Sequence, residues 1–220
     1  MNTKKYGPWI VAFLLAIPLI YSVVIYPHLP SQIPTHFNIQ GKPDAWGGPA
    51  SIFIGPVIMG AVSIFIYALM TNLKSIDPKK YDASNDILYT NFALVTVAFL
   101  SMLSVLIIYA TTHDDINIGN NILPLLGIAF AGLGWYMPKF KQNYFVGFKL
   151  PWTLENEDNW NETHKVAGKV WLIGGLFQTI ASFTLSSKLG FICFITAAVI
   201  MVIIPTIFSY RMFKRGNKII

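Results

Sequence analysis

The sequence predicts an all-α integral membrane protein with six transmembrane helices and both termini in the cytoplasm. Hydrophobic residues make up 54% of the 220 residues and charged residues 12%, with a mean hydropathy of +0.54. These values lie outside the usual range of soluble globular proteins. The apolar residues gather in six runs of roughly 20 residues, which is the length that crosses a bilayer as a helix. The basic residues lie almost entirely in alternate connections, as expected of a multi-pass protein.

The first two spans are predicted at Pro8–Tyr26 and Ala50–Leu73. No small-residue cleavage site follows the first apolar run, so we expect an uncleaved span rather than a signal peptide. Prolines and glycines break residues 27–49 too often for a long helix, and we expect an external loop. Residues 1–73 form the first predicted domain.

Residues 74–220 form the second predicted domain, with four spans. These are predicted at Asp86–Ala110, Asn120–Met137, Gly168–Leu185 and Leu189–Tyr210. Residues 138–167, between its second and third spans, are called the signature loop below. The fourth span of the chain is rich in glycine and alanine, which allow close helix contact. The single cysteine, Cys193, lies inside the last span, where packing is its expected role.

The net charge of +6 could suggest nucleic-acid binding, but the distribution of the basic residues argues against it. Fourteen of the 16 Lys and Arg residues belong to one set of alternate connections, and only Lys42 and Lys188 to the other. The positive-inside rule then places both termini and the signature loop in the cytoplasm, and residues 27–49 outside. We expect no direct contact with nucleic acid.

The segment from Asn143 to Trp171 concentrates polar and aromatic side chains in an otherwise apolar chain. Gly147 permits unusual backbone angles and Pro151 favours an extended residue before it, so a helix should begin after Pro151. Thr153 or Asn156 is the expected N-cap. The spacing of later residues places one set on a single helix face: Glu157, Trp160, Asn161, His164, Gly168 and Trp171. The alternative is an interfacial helix whose tryptophans lie at headgroup depth.

Metal and enzyme chemistry find little support in the sequence. His28, His36 and Asp44 could form an external metal site, but their spacing fixes no geometry; alternatively, His36 and Asp44 hydrogen-bond within a folded cap.

In the signature loop, Glu157, Glu162 and His164 could bind a metal or act as acid and base, yet no metalloprotease motif, nucleophile elbow or phosphate loop is present. The other interpretation of His164 is a hydrogen bond to a carboxylate in its helix or to a backbone carbonyl. We predict no catalytic residue, no metal and no cofactor.

An ion-coupled transporter usually carries ionisable side chains inside its spans. None of the 26 acidic and basic residues lies well inside a predicted span. Such a transporter is therefore disfavoured, although export of a hydrophobic substrate stays an alternative.

Two stretches resemble a known family. GFKLPWTLENEDNWNETHKVAGK, from Gly147 to Lys169, resembles the C-terminal signature of SdpI-type bacterial membrane proteins, and LPSQIPTHFNIQGKPDAWGGP, from Leu29 to Pro49, resembles the N-terminal domain that usually accompanies it. Many relatives have arginine where this chain has Lys149, which keeps the charge but not the planar fork.

The resemblance implies a multi-pass protein of the bacterial cell membrane that gives immunity to a secreted toxin peptide. The external loop would contact the peptide, and the predicted residues are Pro30, Pro34, His36, Gly41, Asp44 and Trp46. Some members of the family also hold a cytoplasmic transcriptional repressor at the membrane. The resemblance therefore implies a partner-binding or moving element in the signature loop, predicted at Asn143, Gly147, Lys149, Pro151, Trp152, Thr153, Glu157, Trp160, Thr163, His164 and Gly168. The alternatives are a small-molecule or peptide transporter and a membrane-embedded hydrolase.

Overall fold

Six long helices dominate the computed structural model, which describes residues 3–77, 85–113 and 117–216. They are α1 (Thr3–Ile25), α2 (Ile54–Ile76), α3 (Asp86–Thr112), α4 (Ile118–Tyr136), α6 (Glu157–Thr184) and α7 (Ser187–Gly216), with the short helix α5 at Pro151–Glu155. Within the described ranges, six helices are long and apolar enough to cross a membrane. The predicted fold class is therefore confirmed, while the orientation of the termini stays a prediction.

The connection between α1 and α2 is more ordered than the irregular loop that the sequence predicts. Short 3-10 helices at Tyr26–His28 and Pro49–Phe53 flank two antiparallel strands, β1 (Ile33–Phe37) and β2 (Pro43–Gly47). The register shifts twice between them, and such irregularities suit strands that contain proline. A small hairpin, called the hairpin cap below, thus stands where a loop was expected.

The hairpin cap is held by a small apolar core. Ile33 of β1 packs with Ile52 and with Ile108 of α3, and all three side chains are buried. Tyr21 and Ile25, near the end of α1, pack against the same cluster. Because these contacts come from segments far apart in sequence, the hairpin cap is fixed to the ends of the helices.

Packing divides the described residues into two compact units. The first contains residues 3–73, 85–113 and 117–122, and the second contains residues 74–77 and 123–216. In the first unit, α3 packs against α1, and the hydroxyl of Ser101 donates to the carbonyl of Leu14 at 2.6 Å. The compact units do not follow the order of the chain, since α3 packs with α1 in the first unit. The predicted domain boundary at residue 73 therefore stays a prediction.

In the second unit, α6 and α7 pack along each other, joined by the short connection at residues 185–186. Helix α4 also approaches α6 closely, because a Cβ atom on Gly127 would meet the backbone of Thr179 and Gly175. This close approach is the helix contact that the small residues of the fourth span predict.

Helix α6 is longer than the fifth span predicted from the sequence. The predicted span begins at Gly168, whereas the helix begins at Glu157 and continues without interruption to Thr184. Asn156 starts it, with its side-chain oxygen accepting the N–H of Asn159 at 2.7 Å, as the capping argument predicts. The part of the chemically dense segment from Glu157 to Trp171 and the fifth span are therefore one continuous helix.

Many large apolar side chains lie on the outside of the helices. Phe13 is 68% exposed, Ile173 68% and Phe183 75%. Such surfaces suit contact with lipid chains and would be costly in water.

Candidate functional site

The turn of the hairpin cap is organised by Asn38. Its side-chain oxygen accepts the N–H groups of Gln40 at 3.0 Å and Lys42 at 3.1 Å. Gly41 has a φ of 74°, which favours glycine, and Asn117 donates to the carbonyl of Gln40 at 2.9 Å. The turn is therefore pinned to the segment that precedes α4.

The outer surface of the hairpin cap contains four of the six residues predicted there. His36 and Asp44 face each other across the strands, with 2.5 Å between Nδ1 and Oδ1, so the predicted hydrogen bond within a folded cap is confirmed. Pro30 is exposed, and Trp46 is 54% exposed. Pro34 and Gly41 are buried, so these two shape the hairpin rather than its surface.

His164 lies at the centre of the signature loop and is 1% exposed. Its Nδ1 is 2.7 Å from the carbonyl of Trp160, one turn earlier in α6, and its Nε2 accepts the N–H of Phe148 at 3.1 Å. A carbonyl can only accept and a backbone N–H can only donate, so the ring is neutral with its proton on Nδ1. The predicted bond from His164 to a backbone carbonyl is confirmed, and both ring nitrogens are occupied.

Aromatic contacts enclose the same ring. Trp160 stacks on His164 with 4.0 Å between ring centroids, and Phe148 meets it edge-on at 6.2 Å. The Trp160 side chain is fully buried, and its indole N–H donates to the carbonyl of Phe140 at 2.9 Å. Gly147 adopts a φ of 111°, and a Cβ atom there would collide with His164 Nε2.

Asn143 organises the first half of the signature loop and is fully buried. Its side-chain oxygen accepts the N–H groups of Phe145 at 2.8 Å and Val146 at 2.7 Å. Its amide donates to the carbonyls of Lys141 at 2.8 Å and Val146 at 3.2 Å. Both ends of one side chain therefore hold a turn that has no regular secondary structure.

Thr153, also fully buried, holds the second half of the loop. Its hydroxyl accepts the N–H of Leu150 at 2.9 Å and donates to the carbonyl of Phe148 at 2.6 Å. Thr153 thus belongs to α5 and closes the loop around Pro151, while Asn156 alone caps α6.

A buried polar network connects the loop with α6 and α7. The indole N–H of Trp152 donates to Ser209 Oγ at 2.6 Å, and this hydroxyl donates to Asn159 Oδ1 at 2.8 Å. Asn159 donates in turn to the carbonyl of Ser209 at 3.0 Å, and Thr163 donates to Asn159 Oδ1 at 3.0 Å. Three elements meet at these four side chains.

The structure corrects the expectation of one helix face that presents indole, imidazole and carboxylate together. Trp160 and His164 are buried, whereas Glu157 is exposed at the start of α6. The reason is that residues 140–150 fold over this face and supply the backbone groups that Trp160 and His164 bind. Gly168 is buried as well, beneath Pro138 and the carbonyl of Gly134.

Only some of the residues predicted in the signature loop are accessible at its surface. Lys149, Pro151 and Glu157 are exposed, and Trp152 is half-buried. Gly147 lies against His164. The other residues predicted there are buried and hold the fold: Asn143, Thr153, Trp160, Thr163, His164 and Gly168. Any docking surface on this loop therefore consists of the exposed three and their neighbours.

The acidic residues of the signature loop do not converge on His164. Glu162 instead pairs with Lys165, with 2.6 Å between Oε1 and Nζ. Across residues 3–77, 85–113 and 117–216, no cluster of three His, Cys, Asp or Glu side chains could hold a metal. Glu157, Glu162 and His164 therefore do not form the metal or acid–base site that the sequence left open.

Two contributors to the loop were missed by sequence reasoning. Asp77, which is 3% exposed, accepts the N–H of Tyr144 at 3.0 Å from 67 residues away. Ser209 lies in an apolar span and gave no signal beyond its polarity. Asp77 stands directly before Pro78, close to the end of the second span, and this position was its one signal in the sequence.

Comparisons with known proteins agree with this architecture. Residues 139–209 match the model of the SdpI/YfhL protein family, and residues 13–60 match a domain of unknown function, DUF1648. The chain is 27% identical over 208 residues to Immunity protein SdpI of Bacillus subtilis (strain 168). The aligned region covers 93% of this chain and 94% of the relative. No solved structure gives a significant match. The matched segments contain the hairpin cap and most of the signature loop, so the chain is similar to the SdpI/YfhL protein family. Together with this similarity, the six spanning helices show that it is a multi-pass protein of the cell membrane.

Proposed function

We propose that this protein is an immunity protein, which protects its cell against a secreted, membrane-active toxin peptide. The observation that carries the proposal is the similarity to Immunity protein SdpI along nearly the full length of both chains. The similarity extends over 93% of this chain and 94% of the relative, so it is not confined to one short motif. The proposal requires binding and no catalytic chemistry.

The hairpin cap is the proposed surface for the peptide. Ile39 and Trp46 are exposed apolar side chains on it, and the charge of Asp44 faces His36 rather than standing alone. An apolar, weakly charged surface suits an amphipathic peptide that partitions into membranes, and tryptophan is a frequent anchor in interfaces. The buried core at Ile33 keeps this surface ordered before the peptide arrives, which lowers the entropic cost of binding.

The side of the membrane follows from the positions of the basic residues. The hairpin cap has Lys42 as its single Lys or Arg, whereas the signature loop and the end of α7 are rich in them. By the positive-inside rule, the cap faces the outside, where a secreted toxin arrives, and the signature loop faces the cytoplasm.

A second proposed role is recruitment of a cytoplasmic repressor by the signature loop. It is favoured by the link from Trp152 to Ser209, since a shift of α7 would act directly on the exposed part of the loop. Lys149 and Glu157 would contact the partner. Trp152, Trp160 and His164 would belong to the element that moves rather than to the docking surface.

The test is membrane potential in toxin-sensitive bacteria challenged with the peptide. Cells without the protein are compared with cells that express this chain or its Trp46→Ala or His164→Ala variant at matched levels in the membrane. We expect the wild-type chain to prevent depolarisation and Trp46→Ala to weaken protection. Depolarisation that is equal with and without the wild-type chain contradicts the proposal, and measurements of flux in liposomes or of peptide hydrolysis would then distinguish the transporter and hydrolase alternatives.

A further inference from the structure

An apolar groove runs between α6 and α7 on the outside of the second unit. Its volume is about 510 Å³. Gly174 leaves room at its floor, where a Cβ atom would come within 2.9 Å of Met201 Sδ. The groove is lined by Lys169, Val170, Ile173, Gly174, Phe177, Cys193, Thr196, Ala197, Ile200, Met201 and Ile204.

The length of the groove corresponds to one leaflet of a bilayer. On α7 the lining extends from Cys193 to Ile204, which is ~16 Å at the helical rise of 1.5 Å per residue. The hydrocarbon core of a bilayer is about 30 Å thick, so the groove covers about half of it. An acyl chain from one leaflet has this length.

The charge of the groove is at one end. Lys169 is the first lining residue of α6 and is exposed, and within the described residues it has no ion-pair partner. Lys165, one turn earlier, is already paired with Glu162. Thr196 carries the one hydroxyl among the lining residues, and this hydroxyl donates to the carbonyl of Ile192 at 2.8 Å. The groove beyond Lys169 is therefore apolar.

We propose that this groove binds one acyl chain of an anionic phospholipid, whose phosphate contacts the ammonium group of Lys169. The cation of Lys169 at one end suits the anionic head group of such a lipid. The apolar groove is as long as one leaflet and suits one of its tails. Basic pockets between transmembrane helices are known to bind anionic lipid head groups. An extended peptide would bring backbone polar groups along its whole length, which the apolar part of the groove cannot satisfy. The site does not depend on the proposed immunity function.

Native mass spectrometry of the purified, delipidated full chain tests the proposal. The probes are dioleoyl-phosphatidylglycerol and dioleoyl-phosphatidylcholine, which have the same tails and differ in net charge. We expect phosphatidylglycerol to bind about tenfold more tightly, because the choline cation of phosphatidylcholine offsets the attraction between its phosphate and the ammonium group of Lys169. Lys169→Gln should reduce its affinity to that of phosphatidylcholine, and Lys169→Arg should retain most of the difference.

Two further variants separate the groove from general attraction to basic residues. Ala197→Trp fills the groove and should weaken the binding of both lipids. Lys165→Gln removes a charge of the same helix outside the groove and should leave both affinities unchanged. Equal affinities for the two lipids in the wild-type chain would overturn the proposal. So would a preference for phosphatidylglycerol that survives Lys169→Gln in a correctly folded variant, or unchanged binding of both lipids to Ala197→Trp.

Discussion

The imidazole of His164 and the backbone N–H of Phe148 are joined by a hydrogen bond of 3.1 Å, although 16 residues separate them. The histidine belongs to α6 and the phenylalanine to the loop that covers it. Because the other ring nitrogen is held by Trp160, the acceptor points in one direction only. One buried side chain therefore fixes both the position and the orientation of the loop that carries Lys149.

Replacing His164 by alanine should destabilise the protein while leaving it inserted in the membrane. The change leaves the N–H of Phe148 without its acceptor and opens a cavity beside Trp160, and we expect the free energy of unfolding to fall by about 2–4 kcal/mol. Unfolding by SDS titration, followed by tryptophan fluorescence, measures it. The matched control is Lys165→Ala on the exposed side of α6, which should change stability by about 0.5 kcal/mol or less. Equal effects of the two variants would contradict the role assigned to His164.

Gly147→Ala should also be destabilising, for two independent reasons. The residue has a φ of 111°, a conformation that costs other residues about 1–3 kcal/mol, and the added methyl group would collide with His164. The contrasting variant is Gly132→Ala in α4, where a Cβ atom meets nothing within 4 Å and helix propensity favours alanine. Thermal unfolding in detergent should show a lower midpoint for the first variant and an unchanged or higher one for the second. An unchanged midpoint for Gly147→Ala would mean that the loop conformation at this glycine is not the stable one.

Local sequence signals predicted much of the fold. Hydropathy located the six long helices of the described residues, because a membrane span is encoded in a continuous run of apolar residues. Asn156 was among the predicted caps, because its side chain acts on a backbone group only three residues away. Signals of this kind do not depend on distant parts of the chain.

Features that depend on distant contacts were predicted poorly. The strands of the hairpin cap contain prolines and gave no alternating pattern, and they are held by a core that includes Ile108, far along the chain. The burial of Trp160 and His164 was missed for a related reason. Helical spacing shows which residues share a face, but not whether that face meets a partner or a loop of the same chain. Here the loop of residues 140–150 covers it.

The contact between Trp152 and Ser209 should contribute measurable coupling between the signature loop and α7. Trp152→Phe keeps an aromatic ring near Phe213, whose ring lies 5.7 Å from the indole, and removes the donated N–H. Ser209→Ala removes the acceptor. A double-mutant cycle on the free energy of unfolding should give a coupling of about 1 kcal/mol. Strict additivity would show that the two side chains contribute independently, and the proposed transmission from α7 to the loop would then lose its physical basis.

Trp46→Ala should separate protection from stability. The side chain is 54% exposed, so its removal deletes little buried contact and should change the unfolding midpoint only slightly. If the hairpin cap binds the toxin through this indole, the concentration of peptide that depolarises half of the cells should fall about tenfold, the effect of losing roughly 1.4 kcal/mol of binding energy. Phe13→Ala, on α1 and outside both the cap and the groove, removes a side chain that is 68% exposed; it is the control and should leave protection unchanged. If Trp46→Ala protects as well as the wild-type chain at equal expression while the wild-type chain itself protects, immunity stands and the peptide must contact a different surface.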